Sequence, residues 1–372
     1  MVVAGEASGD QHAAEVVAEL ARRRSDLRFF GMGGPKLAAQ GVELIYGAHE
    51  VSVMGFTEVL PKLRRILGVM KGLERCAERR RPDLAILVDI PDFNLRLARS
   101  LKRLGIRVVY YISPMVWASR KGRVKQIGQR VDRMLCILPF EEDFYRGEGV
   151  SAQYVGSPVL EQMPPLAPPE DFRRRLGLDP SRRTLALLPG SRMAEIRRIL
   201  PAMVETAARL LQKHPGLQVV VPVAPSIARE EITTRFEGSG VTPVLVDGQA
   251  PEAVGASDAA VVASGTAALE AGLMARPLVV VYRVSLLTGL IARLILKVAY
   301  VSLVNLLAGR RVVPELLQGR MKPELIAAEV ERLWEGPARA EQLQGLAEVR
   351  QKLGEPGAAR RAADAVLQLL GP

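Results

Sequence analysis

Thr184-Leu-Ala-Leu-Leu-Pro-Gly-Ser-Arg192 and Asp258-Ala-Ala-Val-Val-Ala-Ser-Gly-Thr-Ala-Ala-Leu-Glu270 decide how this chain folds. Each opens with an apolar run of strand type, Thr184–Leu188 and Asp258–Ala263, and ends in glycine, a hydroxyl and a full charge. Polar groups just past the carboxyl end of a parallel strand lie where such sheets bind ligands. A nucleotide diphosphate asks for backbone N–H groups at its phosphates, a guanidinium for their charge and a carboxylate for ribose hydroxyls. Gly190, Ser191 and Arg192, with Ser264, Gly265, Thr266 and Glu270, supply all three, so the pair predicts a nucleotide-sugar cradle. Ser264 or Thr266 is expected to cap the second helix. Pro201 is expected to break any helix running on from Arg192, leaving loop amides to hold the phosphates. The structural alternatives are a surface pair between Arg192 and Glu195 and a merely solvated Glu270.

Working outward, strand-like runs alternate with helical patterns, the signature of α/β architecture with parallel sheets. Leu84–Val88, Val108–Ile112 and Met134–Leu138 precede the cradle; Leu217–Val223, Thr242–Val246 and Pro277–Val281 surround it. A proline-rich stretch, Pro158–Pro169, reads as a linker. The expected organisation is therefore a first domain over 1–157, a second over 158–323, and a helical tail over 324–372. The tail either crosses back to the first domain or exchanges between subunits. Two such halves make the cleft between them the natural place for chemistry.

Composition narrows the function. The 372 residues are too long for one ordinary core, and 48% hydrophobic content rules out disorder. The net charge of +11, carried by 41 Arg against 10 Lys, favours an anionic partner. Aromatics make up only 5% and do not interleave with the basic residues, which argues against nucleic acid. Cys76 and Cys136 read as buried thiols of a reducing compartment, with no disulfide or metal spacing. His12, His49 and His214 are scattered, and no Asp-x-Asp pair, nucleophile elbow or P-loop is present, so no metal or cofactor is expected. No signal peptide or spanning helix is expected either, since Val284–Gly309, the most apolar stretch, is cut by Arg293 and Lys297.

In the first half, Gly5-Glu-Ala-Ser-Gly-Asp10 follows a minimal first strand, with Ser8 and Asp10 as expected caps of the next helix. Gly31-Met-Gly-Gly34 reads as a tight loop. Asp89-Ile-Pro-Asp-Phe-Asn94 closes the strand Leu84–Val88. Asp92 and Asn94 suit capping, whereas Asp89 comes too early to cap and is the candidate general base. Tyr111–Ala118 and Leu138-Pro-Phe-Glu141 either shape loops or line the cleft. Leu63, Ile66, Leu67, Met70, Leu73 and Ala77 form a helical stripe flanked by Lys62, Arg64, Arg65, Lys71, Arg75 and Arg79. Core packing and contact with a membrane interface both fit that stripe, and both fit Leu286–Leu307.

Taken together, these motifs resemble the lipid-A-disaccharide synthase family of bacterial glycosyltransferases. The resemblance runs in order through Ala4–Asp10, Val53-Met-Gly-Phe-Thr-Glu-Val-Leu60, Asp89–Asn94, Leu138–Glu141, Leu188–Arg192 and Ala263–Glu270. It continues through Tyr300–Leu303 with Asn305 and Pro314-Glu-Leu-Leu-Gln318. Ser119, Ser157 and Val304 depart from the family's usual Trp, His and Pro. The resemblance implies a GT-B fold, two Rossmann-like domains facing each other across a cleft, the second holding the nucleotide. It implies inverting transfer of 2,3-diacylglucosamine from UDP-2,3-diacylglucosamine to 2,3-diacylglucosamine 1-phosphate (lipid X), with Asn305 and Gln318 as weaker donor contacts. Peripheral attachment to the cytoplasmic leaflet of the inner membrane follows from the four acyl chains; a homodimer stays open. The rival readings are another GT-B enzyme, such as a UDP-GlcNAc 2-epimerase or the peptidoglycan GlcNAc transferase, and a basic membrane-binding protein without catalysis.

Overall fold

The computed structural model describes residues 1–51, 59–119, 121–285 and 299–371. Residues 53–58 of the Val53–Leu60 motif and 286–298 of the apolar stretch, with Arg293 and Lys297, lie outside them. The chain divides into two compact units, Met1–Glu161 with Glu355–Pro372, and Gln162–Gly354. Of the tail expected from 324, the portion up to Gly354 belongs to the second unit and only the last helix to the first.

The first unit is a seven-stranded parallel sheet. Its strands are β1 (Val2–Ala4), β2 (Phe30–Gly33), β3 (Glu43–Gly47), β4 (Leu84–Val88), β5 (Arg107–Tyr111), β6 (Arg133–Cys136) and β7 (Ala152–Tyr154), in the order β3-β2-β1-β4-β5-β6-β7. Every residue of β4 is buried because both faces of the sheet are covered. Leu84, Ile86 and Val88 pack with helix Ala7–Arg23 and the last helix, Ala358–Leu370. Ala85 and Leu87 pack on the other face with helices Val59–Arg80 and Pro91–Arg103. The last helix is fastened there by Arg361, whose Nε donates to Val155 O at 2.7 Å, and by Glu161, which accepts the Ala358 N–H at 2.6 Å.

The second unit repeats the plan with six parallel strands. They are β8 (Thr184–Leu188), β9 (Gln218–Val223), β10 (Pro243–Asp247), β11 (Ala259–Ala263), β12 (Leu278–Tyr282) and β13 (Glu315–Leu317), in the order β10-β9-β8-β11-β12-β13. Asp258 ties the two central strands together at their start. It accepts the Thr184 N–H at 2.7 Å and the buried Arg173 guanidinium at 2.7 Å. In both sheets the chain lays down three strands in one direction, returns to the middle and continues the other way. The reversal falls between β1 and β4 in one unit and between β8 and β11 in the other.

The fold departs from two sequence expectations. Gly31-Met-Gly-Gly34 is not a tight loop: Gly31 to Gly33 belong to β2. A Cβ on Gly31 would sit 1.9 Å from Val2 O, so glycine is what allows β1 to pair there. Pro201 does not interrupt the helix after Arg192, which runs unbroken from Met193 to Lys213. An internal proline costs about 3 kcal/mol. Ile196, Ile199, Leu200, Met203 and Leu210 are fully buried in the core cluster around β8 and β9. At about 1.5–3 kcal/mol for each large apolar side chain, that face outweighs the proline.

Candidate active site

In the second unit the reversal between β8 and β11 opens a cavity of about 530 Å³ that brings the two opening motifs together. Gly190, Ser191 and Arg192 line one side; Ser264, Gly265, Thr266 and Glu270 line the other. Arg192 is the N-cap of the 193–213 helix, so the first motif sits at a helix N-terminus as well as in a loop. Its guanidinium is exposed (77%) and pairs with Glu195 Oε1 at 3.2 Å, while Glu195 Oε2 accepts the Ser191 N–H at 3.1 Å. The surface-pair alternative is therefore formed, but in a telling place: the Glu195 carboxylate occupies the position of an anion, with its cation and amide donor already assembled. Gly190 is required beside it, since a Cβ there would lie 2.3 Å from Glu195 Oε2. Ser226 Oγ donates to Ser191 O at 2.7 Å and holds the turn from behind.

The second motif is capped differently from the expectation. Gly265 is the N-cap of helix Thr266–Leu273, and no side chain makes a capping bond, so neither Ser264 nor Thr266 is a cap. Glycine leaves the first amides of that helix open to the cavity. Glu270 is half-buried on the next turn, and burial alone raises its carboxyl above the ordinary range. A carboxylate desolvated without a partner is costly unless a ligand donates to it. The cavity thus combines amide donors, a cation and an uncommitted carboxylate.

In the first unit the reversal between β1 and β4 collects the other candidate. Asp89 and Ile90, immediately after β4, both have positive φ, 55° and 36°. For a β-branched residue such as Ile90 this is strained backbone, of order 1–3 kcal/mol. Asn94 holds the turn: its Nδ2 donates to Val88 O at 3.0 Å and Asp89 O at 2.9 Å, and the Tyr110 hydroxyl also donates to Asp89 O. Asn94 is therefore a brace inside the helix, whose N-cap is Ile90. Gly5 makes room for the strained turn: a Cβ there would meet Ile90 Cδ1 at 2.4 Å and Val51 Cγ2 at 3.0 Å. Burial raises the Asp89 carboxyl, opposed by the Ile90 N–H and by His12. No side-chain hydrogen bond engages that carboxylate among the described residues.

Ser8 and Asp10 do not cap helix Ala7–Arg23, whose N-cap is Glu6. Asp10 is buried and accepts the N–H groups of Gly34, Lys36 and Leu37 at 2.7, 2.9 and 3.2 Å, bracing the turn after β2 instead. Glu141, for which the sequence leaves loop-shaping and cleft-lining open, is 1% exposed. It accepts from Trp117 Nε1 at 3.0 Å and Leu138 N at 3.2 Å, and so anchors the Pro114–Ala118 loop from beneath. Asn305 is also buried and fully spent. Its Oδ1 accepts from Val312 N and Val313 N, and its Nδ2 donates to Val313 O and Glu315 Oε1. From helix Leu303–Ala308 its side chain holds the segment Val312–Glu315 that leads into β13. Gln318 follows β13 with a left-handed φ of 52°. Ser157 and Val304 are both buried. The Arg192–Glu195 pair is legible in the sequence, whereas the bracing roles of Asp10 and Asn94 and the bond from the Ser191 N–H to Glu195 depend on neighbours brought close only by the sheet or the helix turn.

Two parallel-sheet units of this topology define the GT-B fold. The chain is similar to CalG4, the calicheamicin glycosyltransferase, at 17% identity and a TM-score of 0.61, with 99% of this chain and 96% of that chain covered. It is also similar to UDP-GlcNAc 2-epimerase from Neisseria meningitidis, solved bound to UDP-GlcNAc, at 13% identity and a TM-score of 0.64, with 99% of each chain covered. At these identities the likeness establishes the fold. The family follows from sequence: the model for lipid-A-disaccharide synthetase matches residues 1–369. The lipid-A-disaccharide synthase of Myxococcus xanthus (strain DK1622) is 71% identical, and that of Anaeromyxobacter dehalogenans (strain 2CP-C) 55%, each over 100% of this chain and 97% of the relative. The chain belongs to the lipid-A-disaccharide synthetase family and is a glycosyltransferase of lipid A disaccharide synthesis.

Burial pushes the Glu141 carboxyl up from 4.5 to about 7, against the hydrogen bonds from Trp117, Leu138 and Ser113. A proton held more tightly in the folded state gives stability that is complete below about pH 4.5 and lost as pH rises through about 7, roughly 3 kcal/mol in all. Glu141→Gln removes this component. The urea midpoint of the variant is expected to fall less than that of the parent between pH 5 and 8; parallel pH profiles would contradict the assignment.

Proposed function

We propose that the enzyme transfers 2,3-diacylglucosamine from UDP-2,3-diacylglucosamine to lipid X with inversion, giving the β-1,6-linked disaccharide 1-phosphate and UDP. The observation that carries this reading is the convergence of Gly190–Arg192 and Ser264–Glu270 in one cavity. UDP sits there. The amides of Gly190 and Ser191 and the Arg192 guanidinium take its diphosphate, displacing Glu195 from the Ser191 N–H; Ser264, Gly265 and Thr266 add contacts, and Glu270 accepts from the ribose hydroxyls. That the similarly folded epimerase of Neisseria meningitidis binds UDP-GlcNAc supports a UDP-sugar donor.

Asp89 takes the proton from the acceptor 6-hydroxyl as O6 forms its bond to the anomeric carbon. The bond from that carbon to the diphosphate oxygen breaks, and the electron pair leaves with UDP. The charge developing on the leaving group is met by Arg192 and the loop amides. One displacement suffices, so no covalent nucleophile is required. The open carboxylate of Asp89, its strained turn and its raised affinity for a proton suit a general base. No helix among the described residues is long and apolar enough to cross a membrane. Leu63 and Leu67, 42% and 43% exposed on helix Val59–Arg80, project beside Arg64 and Arg65, whereas Leu73 and Ala77 farther along are core. This exposed end rests on the cytoplasmic face of the inner membrane.

Asp89→Asn lowers kcat by about a hundredfold or more and leaves donor KM unchanged; near-normal turnover in a folded variant removes Asp89 from the role. Arg192→Ala weakens UDP binding by about tenfold to a hundredfold, the worth of one charged hydrogen bond, as read by titration calorimetry. Unchanged UDP affinity would place the diphosphate elsewhere. Arg64→Glu with Arg65→Glu reduces flotation with anionic liposomes by about tenfold or more; undiminished flotation would take the membrane contact away from this helix.

A further inference from the structure

A second feature of the first unit is left unused by this mechanism. A groove of about 610 Å³ runs between helices Val59–Arg80, Pro91–Arg103 and Val124–Arg130, a volume in the range of small-ligand sites. Lys71, Arg96, Arg99, Arg103, Arg123 and Arg130 line it. Glu74 and Asp92 are its acids, and both are engaged: Glu74 Oε1 accepts from Ser100 Oγ at 2.6 Å, and Asp92 Oδ1 pairs with Arg123 at 2.8 Å. Among the described residues, Lys71, Arg96, Arg99 and Arg103 form no salt bridge, although arginines such as Arg24, Arg80 and Arg146 elsewhere on this unit do.

Lys71, Arg96, Arg99 and Arg103 are exposed along the groove. Arg96, Arg99 and Arg103 fall on one face of a single helix, spaced over about 10 Å, where like charges repel. Arg130 donates to Leu95 O at 3.2 Å, and burial followed by the Arg99 charge lowers its hold on its proton. Six basic side chains against two carboxylates leave this concave site an excess of positive charge, which suits a multiply charged anion. The groove begins at Pro91 and Asp92, one and two residues past the Asp89–Ile90 turn. Its opposite wall carries Leu67 and Met70, apolar groups from the same helix as the exposed Leu63.

We propose that this groove binds the phosphate monoester of the acceptor, with the exposed Arg96, Arg99 and Arg103 as its cationic edge and Leu67 and Met70 beside the acyl chains. The proposal rests on the acceptor reading above and adds where its phosphate is held. A monoester carries close to two negative charges at neutral pH, against one for the phosphodiester of a typical bilayer head group, so it matches several unpaired cations better.

The test compares lipid X with its dephosphorylated counterpart, 2,3-diacylglucosamine, as acceptors in detergent micelles, for the parent enzyme and for Arg99→Ala/Arg103→Ala. Alanine preserves the helix. The variant is expected to raise KM for lipid X by about thirtyfold or more. Its kcat and donor KM stay within twofold of the parent, and KM for the dephosphorylated acceptor does not move. Equal losses on both acceptors, or no loss on either, would overturn the proposal. So would a loss confined to liposome-borne substrate and absent in micelles, which would assign the groove to bilayer head groups. A parent enzyme that makes no disaccharide from lipid X would instead overturn the acceptor reading itself.

Discussion

Strand-order reversal is the constraint on which everything else rests. In a parallel sheet the loops after neighbouring strands usually lean to opposite faces only where the connections change direction. That happens between β1 and β4 and again between β8 and β11. The gap left at each reversal is where backbone amides and short polar side chains can reach a ligand without interrupting the core. Asp89 and the Gly5–Asp10 turn share one such gap; Arg192 and Glu270 share the other. Because both strands flanking each gap are buried, the apolar runs LAILV and TLALL fix the position of these charges as firmly as they fix the core.

A second distinction separates polar residues that the fold consumes from those it leaves over. Asp10, Asn94, Glu141 and Asn305 are buried, and each is hydrogen-bonded within its own unit. They brace turns. Asp89, Glu270 and Arg192 are different. Two are half-buried carboxylates without a side-chain hydrogen bond among the described residues, and the third is an exposed guanidinium whose partner, Glu195, sits where an anion would bind. Burying a carboxylate without a partner has a free-energy cost that a donating ligand offsets. Arg96, Arg99 and Arg103 of the groove after Asp92 are also left over: they form no salt bridge among the described residues.

Much of this is legible in the amino-acid sequence, for identifiable reasons. β4 and β8 announce themselves as five-residue apolar runs stopped by a polar turn, so the charges just past them can be placed from the residue pattern alone. β2 cannot, because two of its four residues are glycines that serve the close approach of β1 and look like a turn in isolation. β13 is only three residues long and lies at an edge. Pro201 misleads because helix propensity is local, whereas the apolar face that keeps residues 193–213 helical is tertiary. The capping expectations at Asp10, Asn94, Ser264 and Thr266 fail for a related reason. A short polar side chain near a helix start fits a cap equally well whether or not a neighbouring turn or strand end claims it.

On the proposed mechanism the chain joins an acylated donor to a phosphorylated lipid acceptor through one displacement of UDP. The decisive measurement is UDP release from acylated and unacylated UDP-GlcNAc, each with and without lipid X. The mechanism predicts UDP release only from the acylated donor with lipid X present, in equal amount with the disaccharide. Release from unacylated UDP-GlcNAc, or at the same rate without acceptor, would contradict it.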